Sequence, residues 1–535
     1  MALPEGIQLL PIQQWTNVHQ NFTQTFTPNA SYTISLPASV SDIGEQYKRT
    51  TANFQWLIQN AINNRQQLRA MGSGWSLSEV AVSDGGIVDT KNLTLSFNMG
   101  NSFISPQYLT NGRQAHDLFF VQCGMTILML NDKLEKESDP KRSLKASGAS
   151  NGQSIAGATS TGTHGAAIND GAVHDSIVGL HIVVGPSRHV WLERASYPIA
   201  SDDFINWLGA EAIRDDDMFN AAIISFGSFG FIHGIMLETD PIYLLEKHPG
   251  GMIPYNDELK QAINTLDFAN NNILPLPQNG SDKQLYHFEI VVNPHQFAPN
   301  DPQKGVYLRT IYKCQYVDSY QPPVPANQRF TYGDDTLGVI QTVLDAAGPD
   351  LSALVIPALV DKLFPLAYAS ADASTATIGD TFINTKFRGK VGSAAIAVDI
   401  SNASRVAELI TAASHQTPFP GGLGLRFVKG TQAILGFTCF PHTCVLEMDG
   451  VDAQASRDFF QNIWTTLRQQ NIPYTMHWGK LNFAIDADLV LYMYGADRVN
   501  KWIQCRNSLL DAPTRQVFTN DFIQKCGLAK DLSPV

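Results

Sequence analysis

The sequence predicts an α+β protein with two main domains, and three observations support this prediction. The chain has 535 residues, which at roughly 150 residues per domain is enough for two to four domains. Hydrophobic residues make up 44% of the chain, so buried cores are expected rather than disorder. Short apolar segments alternate with helical ones along the chain, a pattern typical of mixed sheets covered by helices.

The first part of the chain predicts short strands in alternation with helices. A strand and a helix start are expected within residues 34–45, and residues 226–240 are Gly-spaced and then strand-like. The other strands are expected over 67–71, 87–89, 119–123, 177–184 and 188–193, and the helices over 45–65, 126–136 and 202–209.

The composition changes near residue 242, where we place a domain boundary. The part that follows predicts a large sheet covered by helices. Its strands are expected over 286–293, 307–314, 425–428, 433–439 and 443–449, and its helices over 256–269, 337–346, 351–366, 403–414 and 454–469. The expected division is a first domain over 1–242, a second over 243–470 and a C-terminal segment over 471–535.

Charged residues make up only 16% of the chain, and the net charge is −12. An acidic chain is poorly suited to binding a phosphate backbone, so nucleic acid is excluded as a partner and a small or neutral substrate is favoured. The sequence contains no apolar run of about 18 residues, the length that spans a bilayer. Its start also lacks a basic segment of the secretory type. We therefore expect a cytoplasmic protein with no membrane partner.

The six cysteines are too sparse for a disulfide framework. Cys439 and Cys444, with His442 between them, are the nearest approach to a set of metal ligands. A structural zinc site needs four ligands at close spacing, and the sequence offers no second pair. Buried free thiols are the simpler interpretation, and no metal site is predicted.

The segment RAMGSGWS, residues 69–76, runs from a strand into a Ser-rich loop. Consecutive backbone N–H groups in such a Gly-rich turn form a cradle for an anion such as a pyrophosphate. Taken alone, the motif fits a simple tight turn equally well. It matches neither the dinucleotide fingerprint of a Rossmann fold nor a Walker loop.

Residues 147–167 consist almost entirely of Gly, Ala, Ser and Thr. Residues 148–152 match the G-x-S-x-G pattern, in which Ser150 would be a nucleophile held between a strand and a helix. More Gly, Ser and Thr follow Ser150, so no helix is expected there and the hydrolase interpretation is weak. The alternative is a long loop whose backbone packs against a large flat ligand. The contacts would come from Ser154, Gly157, Thr161, Gly162, Thr163 and His164.

The segment His477-Trp478-Gly479-Lys480 is the third candidate. A lone His and Lys beside an aromatic residue are commonly structural. Beside the two glycine-rich segments, however, Lys480 becomes a cation available to an electron-rich cofactor.

Together these segments resemble the vanillyl-alcohol-oxidase-type (PCMH-type) FAD-linked oxidoreductases, especially the aldonolactone and alditol oxidase branch. The resemblance extends over nearly the whole chain. RAMGSGWS resembles the family's first FAD loop, and GQSIAGATSTGTHG resembles its second. FGSFGFIHGIMLETDP, residues 226–241, is similar to a third stretch along the adenosine side. LRFV, residues 425–428, resembles the strand with the active-site Arg, and HWGK and VFTNDFI resemble the C-terminal signatures.

The resemblance implies a two-part FAD-binding domain of mixed sheets and helices, followed by a substrate domain with a large sheet covered by helices. It also implies the cofactor-binding residues, which are Met71, Gly72, Ser73, Gly74, Trp75, Ser76, Gly148, Ser150, Gly152, Gln153, Ser154, Gly157, Thr161, Gly162, Thr163, His164, Gly230, Ile232 and Lys480.

Two departures from the family pattern affect the chemistry. The first FAD loop of the family often carries a His that is covalently bonded to the flavin, and Trp75 stands at that position. An indole cannot form the histidyl bond, so dissociable FAD is expected. The family often has a Glu two residues before the active-site Arg, where this chain has Gly424. Glu447 lies in an otherwise apolar strand and is expected either to replace that carboxylate or to be a paired structural Glu.

The reaction implied by the resemblance is oxidation of a C–H bond that bears a hydroxyl, with hydride transfer to flavin N5. O₂ is the expected electron acceptor, giving H₂O₂, although a dehydrogenase using another acceptor fits as well. Arg426 and Lys480 are expected to stabilise the negative charge or to lower the pKa of the substrate hydroxyl. Glu447, His477 or a deprotonated Lys480 would accept the proton, and Ser154 would contact the substrate hydroxyl.

The expected substrate is a sugar, polyol or lactone with a primary or secondary alcohol. The length and the apolar stretches of residues 242–470 leave room for a bulky alcohol such as a sterol, as in the family's covalent-flavin cholesterol oxidases. A flavin-free binding protein on the same fold is the alternative from a different functional class.

Overall fold

The computed structural model describes residues 3–269, 272–275, 282–322, 346, 354–362, 364–365, 374–382 and 391–532. These residues form three main sheets and two short ribbons. The first sheet has four strands, in the spatial order Ile7–Leu9, Tyr32–Ile34, Ile87–Asp89 and Arg69–Met71. The second has six, in the order Glu211–Arg214, His189–Glu193, Ile177–Val183, Phe231–Glu238, Leu118–Gln122 and Ser96–Asn98.

The helix Ile43–Asn63 packs against these two sheets. The side chain of Asp42 accepts a hydrogen bond from the backbone N–H of Glu45 and so caps the first turn. Buried residues recur every three or four positions along the helix, which places them on one face. At one end of that face Tyr47 stacks on His233 of the second sheet, with ring centroids 4.0 Å apart.

Shorter helices complete this part of the chain. They are Pro106–Thr110, Ile127–Asp132, Ile155–Thr161, Asp202–Leu208 and Asp216–Ala222, and a π-helical turn Lys133–Glu137 continues the second of them. The two ribbons pair Gln14–Thr16 with Thr23–Thr25 and Arg142–Ser143 with Asp240–Pro241.

The third sheet has eight strands. Their spatial order is Ser374–Ala376, Tyr243–Ile253, Val306–Gln315, Gln284–Val292, Gly421–Lys429, His442–Val451, Val391–Asp399 and Thr475–Met476. The helices Asp257–Thr265, Ala403–Ser414 and Gln454–Gln469 share one apolar core with this sheet, and Ile378–Thr381 follows its edge strand.

Side chains alternate between the two faces of the third sheet, as strand geometry requires. Phe288, Leu425 and Leu446 point into the core under the helices. Their chain neighbours Glu289, Arg426 and Glu447 therefore share the opposite face. That face contacts the first part of the chain, because Val428 and Val445 belong to the core formed there.

The last helices are Ala487–Leu509, Ala512–Val517 and Asp521–Lys525, with a kink at Gly495 in the first of them. They pack against the first part of the chain. Arg506 Nε donates to the carbonyl of Ser228 (2.9 Å), and Arg69 Nη1 donates to the carbonyl of Phe518 (2.7 Å). The domain limits given above stay a prediction.

The predicted α+β architecture is confirmed, but two elements were predicted wrongly. Residues 433–439 form turns rather than a strand. This apolar run is buried as a loop whose carbonyls bind side chains, as in the bond from Trp478 Nε1 to Leu435, and burial alone does not distinguish such a loop from a strand. The tract 147–167 contains the helix Ile155–Thr161 where a continuous loop was expected.

The tract forms a helix because its ends are well suited to one and its inner face is buried. Ser154 stands at the N-cap in an extended conformation without a side-chain capping bond, and Gly162 ends the helix in the left-handed conformation at φ 78°. Ile155, Ala158 and Thr159 are buried against the first part of the chain, so packing outweighs the low helix propensity of Gly, Ser and Thr.

The predicted helix over 337–346 lies almost wholly outside the described residues. Of the one predicted over 351–366, residues 354–362 and 364–365 are helical. Among the described helices, none combines the length and the apolar character needed to cross a membrane.

Candidate active site

The two glycine-rich segments meet in the structure. A Cβ built on Gly72 would lie 1.9 Å from Ser154 Oγ, so the first glycine loop (residues 72–76) touches the N-cap of the helix in the second tract (147–167). Gly148 lies beside the methyl group of Thr163 in the same way, where a Cβ would be 2.9 Å from Cγ2. Small residues therefore allow a close backbone approach at both places.

The backbone of these two segments has free hydrogen-bonding capacity. No hydrogen bond to another described residue is seen from the N–H groups of residues 72–76 or 148–154. The side-chain oxygens Asn151 Oδ1 and Gln153 Oε1 are buried, again with no partner among the described residues. Unpaired donors and acceptors of this kind fit a large polar ligand such as FAD.

The HWGK segment joins the first glycine loop to the second tract. The carbonyl of Gly479 accepts from the backbone N–H of Leu77 (2.8 Å), and the carbonyl of Trp478 accepts from Ser78 Oγ (2.6 Å). A Cβ on Gly479 would lie 3.3 Å from Thr161 Oγ1, at the end of the helix. Lys480 is thereby brought beside both segments.

A cluster of charges lies on the polar face of the third sheet. Arg426 binds two buried carboxylates, through Nε to Glu289 Oε1 (3.0 Å) and through Nη1 to Glu447 Oε2 (2.5 Å). Glu289 also binds Arg309 and His287, each at 3.1 Å. Because four neighbouring strands supply these side chains, the strand register sets the geometry of the cluster.

Lys480 completes the cluster on its other side. Its Nζ lies 3.4 Å from Glu447 Oε1 and 3.4 Å from Asp449 Oδ1, and it donates to Ser393 Oγ at 2.6 Å. Ser393 in turn donates to Asp449. The ammonium group is therefore held between two carboxylates on one strand and a hydroxyl on the next.

Two histidines face the same carboxylate region. His164 Nδ1 binds the carbonyl of Gly165 (3.0 Å), and its Nε2 lies 3.4 Å from Glu447 Oε1. His477 Nδ1 accepts from the backbone N–H of Gly479 (2.9 Å). In the neutral ring of His477 the proton therefore sits on Nε2, which makes that atom a donor.

The surroundings of these groups set their charge. Burial alone would raise the pKa of Glu447, but Arg426 and Lys480 hold it well below its usual range. Burial opposes the charged form of Lys480, but Asp449 and Glu447 outweigh it and raise the pKa of the amine. Burial, together with the electrostatic effect of His164, lowers the pKa of His477 well below its usual value. Glu447 is therefore ionised, Lys480 charged and His477 neutral near pH 7.

The catalytic residues predicted from the sequence are brought together by the fold. Arg426, Lys480, Glu447 and His477 form one cluster, and Ser154 lies at the meeting point of the two glycine-rich segments. His164, predicted to bind the cofactor, pairs with Glu447. The roles of all these residues stay predictions, but the raised pKa of Lys480 argues against its use as a base.

Three of the predicted cofactor residues lie in packed positions. Met71 is buried in a small core with Phe26 and Ile87. A Cβ on Gly230 would lie 2.5 Å from the carbonyl oxygen of Val183, and Ile232 belongs to the core of the first part. Ser150 is preceded by no strand at the position a nucleophile elbow requires, because the strand Arg142–Ser143 ends well before it.

Sequence reasoning missed Glu289, Arg309, His287 and Asp449 in the charge cluster, and His19 beside Trp75. Glu289 carried the same signal as Glu447, a carboxylate within a largely apolar strand, and could have been found by it. His19 carried no such signal. In the part of the chain that the structure describes, no group of three or more His, Cys, Asp or Glu side chains is arranged to hold a metal ion.

The fold matches that of solved cholesterol oxidases. The crystal structure of cholesterol oxidase from Brevibacterium sterolicum matches 98% of this chain and 99% of its own, with a TM-score of 0.66 and 13% identity. A solvent-stable cholesterol oxidase matches with a TM-score of 0.67 and 14% identity over 98% of this chain and 99% of its own. At these identities the likeness concerns the fold, and it confirms the predicted fold class.

Sequence comparison finds similarity to aldonolactone oxidases and dehydrogenases. An L-gulono-1,4-lactone dehydrogenase of Mycobacterium tuberculosis is 24% identical over 273 residues, 51% of this chain and 49% of that protein. A D-arabinono-1,4-lactone oxidase of Kluyveromyces lactis is 27% identical over 176 residues, 33% of this chain and 28% of that protein. The chain thus spans less than half the length of each of these relatives. No family model matches the chain. The predicted kinship with the aldonolactone oxidase branch is confirmed.

Proposed function

We propose that the chain is an FAD-dependent oxidoreductase that converts an alcohol of a sugar, polyol or lactone to a carbonyl. The observation that carries this proposal is Arg426, held between Glu289 and Glu447 and joined to Lys480 through Glu447. This cluster lies beside the two glycine-rich segments, whose unpaired N–H groups fit the cofactor. The names of the relatives support the same class of enzyme.

FAD held by residues 72–76 and 148–154 would supply the hydride acceptor. The chain's own contribution is electrostatic. Arg426 and Lys480 are fixed cations that stabilise negative charge on the substrate oxygen as its proton leaves. Both are held by carboxylates before substrate arrives, so little reorganisation is needed during the reaction.

Glu447 is the proton acceptor proposed here because it is the ionised carboxylate between the two cations, and its lowered pKa makes it a weak base. It is ionised, and its Oε1 faces both Lys480 and His164 at 3.4 Å, longer than a strong hydrogen bond. That oxygen keeps capacity for a substrate hydroxyl. His477 presents Nε2–H and is suited to donate a hydrogen bond to the substrate, and Ser154 is the residue proposed to contact the substrate hydroxyl.

The charges also favour a polar substrate. A site with Arg426, Lys480 and Glu447 on one face provides many partners for hydroxyl groups. A sterol, whose surface is almost entirely apolar, would offer this polar face few hydrogen-bond partners. A sugar, polyol or lactone therefore fits better than a bulky hydrophobic alcohol.

We further propose that FAD is dissociable and that O₂ accepts the electrons. Trp75 occupies the position of the flavin-linking His in the family, and its indole cannot form that bond. Precipitating the holoenzyme with acid tests this directly, because dissociable flavin appears in the supernatant. Flavin that stays in the pellet would contradict the proposal. A cytoplasmic location stays a prediction from the sequence.

The test of function is an H₂O₂-coupled screen of the purified holoenzyme across polyols, sugars, lactones and sterols. A parallel dye-reduction assay detects a dehydrogenase that does not use O₂. Turnover of a polyhydroxylated substrate supports the proposal, and turnover of sterols alone would replace its substrate class. Colourless protein that takes up no added FAD would leave a binding protein as the better interpretation.

A further inference from the structure

The ribbon Gln14–Thr16 and Thr23–Thr25, with its connecting turn, lies across the first glycine loop. We call residues 14–25 the N-terminal ribbon. The backbone N–H of Val18 donates to the carbonyl of Gly74 (3.0 Å), and Asn17 Nδ2 donates to the carbonyl of Ser76 (2.9 Å). The ribbon therefore holds the loop from its outer side.

Gly74 allows this close contact for two reasons. Its φ of +71° is a conformation that L side chains rarely adopt. A Cβ at this position would also lie 2.7 Å from Cζ2 of Trp15, in the first strand of the ribbon. The loop backbone is thus packed directly against an indole ring.

The ribbon also contacts the residue at the family's flavin-linking position. His19 is 4% exposed, and its ring meets the ring of Trp75 edge-on with centroids 5.2 Å apart. Burial, with the charge of Lys480, lowers the pKa of His19 to about 4. The imidazole is therefore neutral near pH 7 and packs as an uncharged ring.

The other end of the turn reaches the end of a strand in the third sheet. Asn21 Nδ2 donates to Asp452 Oδ2 (2.9 Å), and Arg457 binds the two oxygens of Asp452 at 2.8 Å each. Asp452 directly follows the strand that carries Glu447. Asn17 and Asn21 are tied to each other, because the backbone N–H of Asn21 donates to Asn17 Oδ1 (2.8 Å). One chain of hydrogen bonds thus links the first glycine loop to the end of the active-site strand.

We propose that the N-terminal ribbon is a non-covalent clasp that retains FAD, with Asn17 and Asn21 as its positioning residues. The inference rests on the proposed function, since it takes residues 72–76 to be a cofactor loop. We take release of FAD to require movement of that loop, and such movement would break the hydrogen bonds with the ribbon. In a chain whose Trp75 cannot bond to the flavin, these contacts slow the release that a covalent bond would otherwise prevent.

The test measures release of FAD from the full-length holoenzyme. Flavin fluorescence is followed after rapid dilution of wild-type protein, Asn17→Ala and Asn21→Ala. The control is Thr23→Val, which removes the hydroxyl contact with Thr16 on the exposed side of the same ribbon and keeps a residue suited to a strand. We expect release about tenfold faster in Asn17→Ala, which loses several hydrogen bonds, and a smaller increase in Asn21→Ala. Thr23→Val should stay within about twofold of wild type.

A second readout separates retention from folding. The melting temperature of the FAD-free protein should be nearly the same in wild type and Asn21→Ala, while that of the FAD-loaded variant should fall. Unchanged release in both Asn variants, with FAD bound, overturns the clasp and leaves the proposed function intact. Flavin in the acid pellet overturns it as well, because a covalent bond then retains the cofactor. Protein that binds no FAD overturns the proposed function and the clasp together.

Discussion

Gly424 and Glu447 face each other across two neighbouring antiparallel strands, and the absent side chain of the first leaves space beside the carboxylate of the second. A Cβ on Gly424 would lie 3.7 Å from Glu289 Oε1 and 3.9 Å from Glu447 Cβ, both ordinary contact distances. A side chain is therefore tolerated at this position, two residues before Arg426. We propose that Glu447, on the adjacent strand, takes the place of the carboxylate that the family often carries there.

This relationship predicts that a carboxylate at position 424 can partly replace the one at position 447. Glu447→Ala removes the group between Arg426 and Lys480, and we expect kcat to fall by about 100-fold. Adding Gly424→Glu to that variant returns a carboxylate to the same face of the sheet and should recover about tenfold. Steady-state kinetics on the best substrate of the screen measures both changes.

Gly424→Glu in the otherwise wild-type chain is the informative control. It places a third carboxylate beside Glu289 and Glu447, so we expect a lower melting temperature from the repulsion of like charges. Gly424→Gln, which has the same shape without the charge, should be less destabilising. If Gly424→Glu failed to improve the Glu447→Ala variant, the two positions would not be equivalent.

The cations of the cluster should matter for turnover, and Arg426 for folding as well, because its removal takes the shared partner from the buried Glu289 and Glu447. Arg426→Ala and Lys480→Met remove charges that face the substrate, and each should lower kcat by at least about 100-fold. Arg405→Ala changes an exposed Arg on a helix of the same domain and should leave kcat unchanged. Turnover close to wild type in both active-site variants would refute the assignment.

The close approach of the two glycine-rich segments gives a steric prediction. Gly72→Ala adds a Cβ 1.9 Å from Ser154 Oγ and 2.8 Å from its Cβ, so the segments must separate and FAD affinity should fall at least about tenfold. Ser154→Gly removes both atoms and should restore much of the affinity in the double variant. Gly100→Ala, at a position with open space around it, is the matched control. Fluorescence titration with FAD measures all of them, and unchanged affinity in Gly72→Ala would be the contrary result.

Glu135 provides a prediction about stability and pH. Its Oε1 accepts from the backbone N–H of Gly379 (2.8 Å), with Asp380 and Lys136 nearby, and burial raises its pKa to about 7. A carboxyl with a raised folded-state pKa stabilises the fold fully below the unfolded-state pKa, and this contribution is lost as pH rises through about 7. The loss is on the order of 3 kcal/mol.

Glu135→Gln, which cannot ionise, should therefore be more stable than wild type at pH 8 and similar to it at pH 4. Denaturant unfolding of both proteins across this range measures the difference. A difference that does not change with pH would show that Glu135 does not titrate there.

Much of the fold and several residues of the candidate site could be predicted from the local sequence. Alternating apolar strands predicted the large sheet, and the runs of small residues predicted where the backbone approaches closely. The resemblance of LRFV to the family's active-site strand identified Arg426, and a charge within an otherwise apolar strand identified Glu447, because a charge in a buried strand needs a partner. The helix Ile155–Thr161 escaped prediction because its small residues favour a loop locally, while burial of one face favours the helix.

The sequence by itself determined which groups are available for chemistry: two glycine-rich segments, scarce charges and a Trp where the family often has a His. Only the tertiary structure decided their partners. Glu289 meets Arg426 across 137 residues of chain, and Asn21 meets Asp452 across 431. Such contacts depend on the order and register of strands far apart in sequence, which no local pattern specifies.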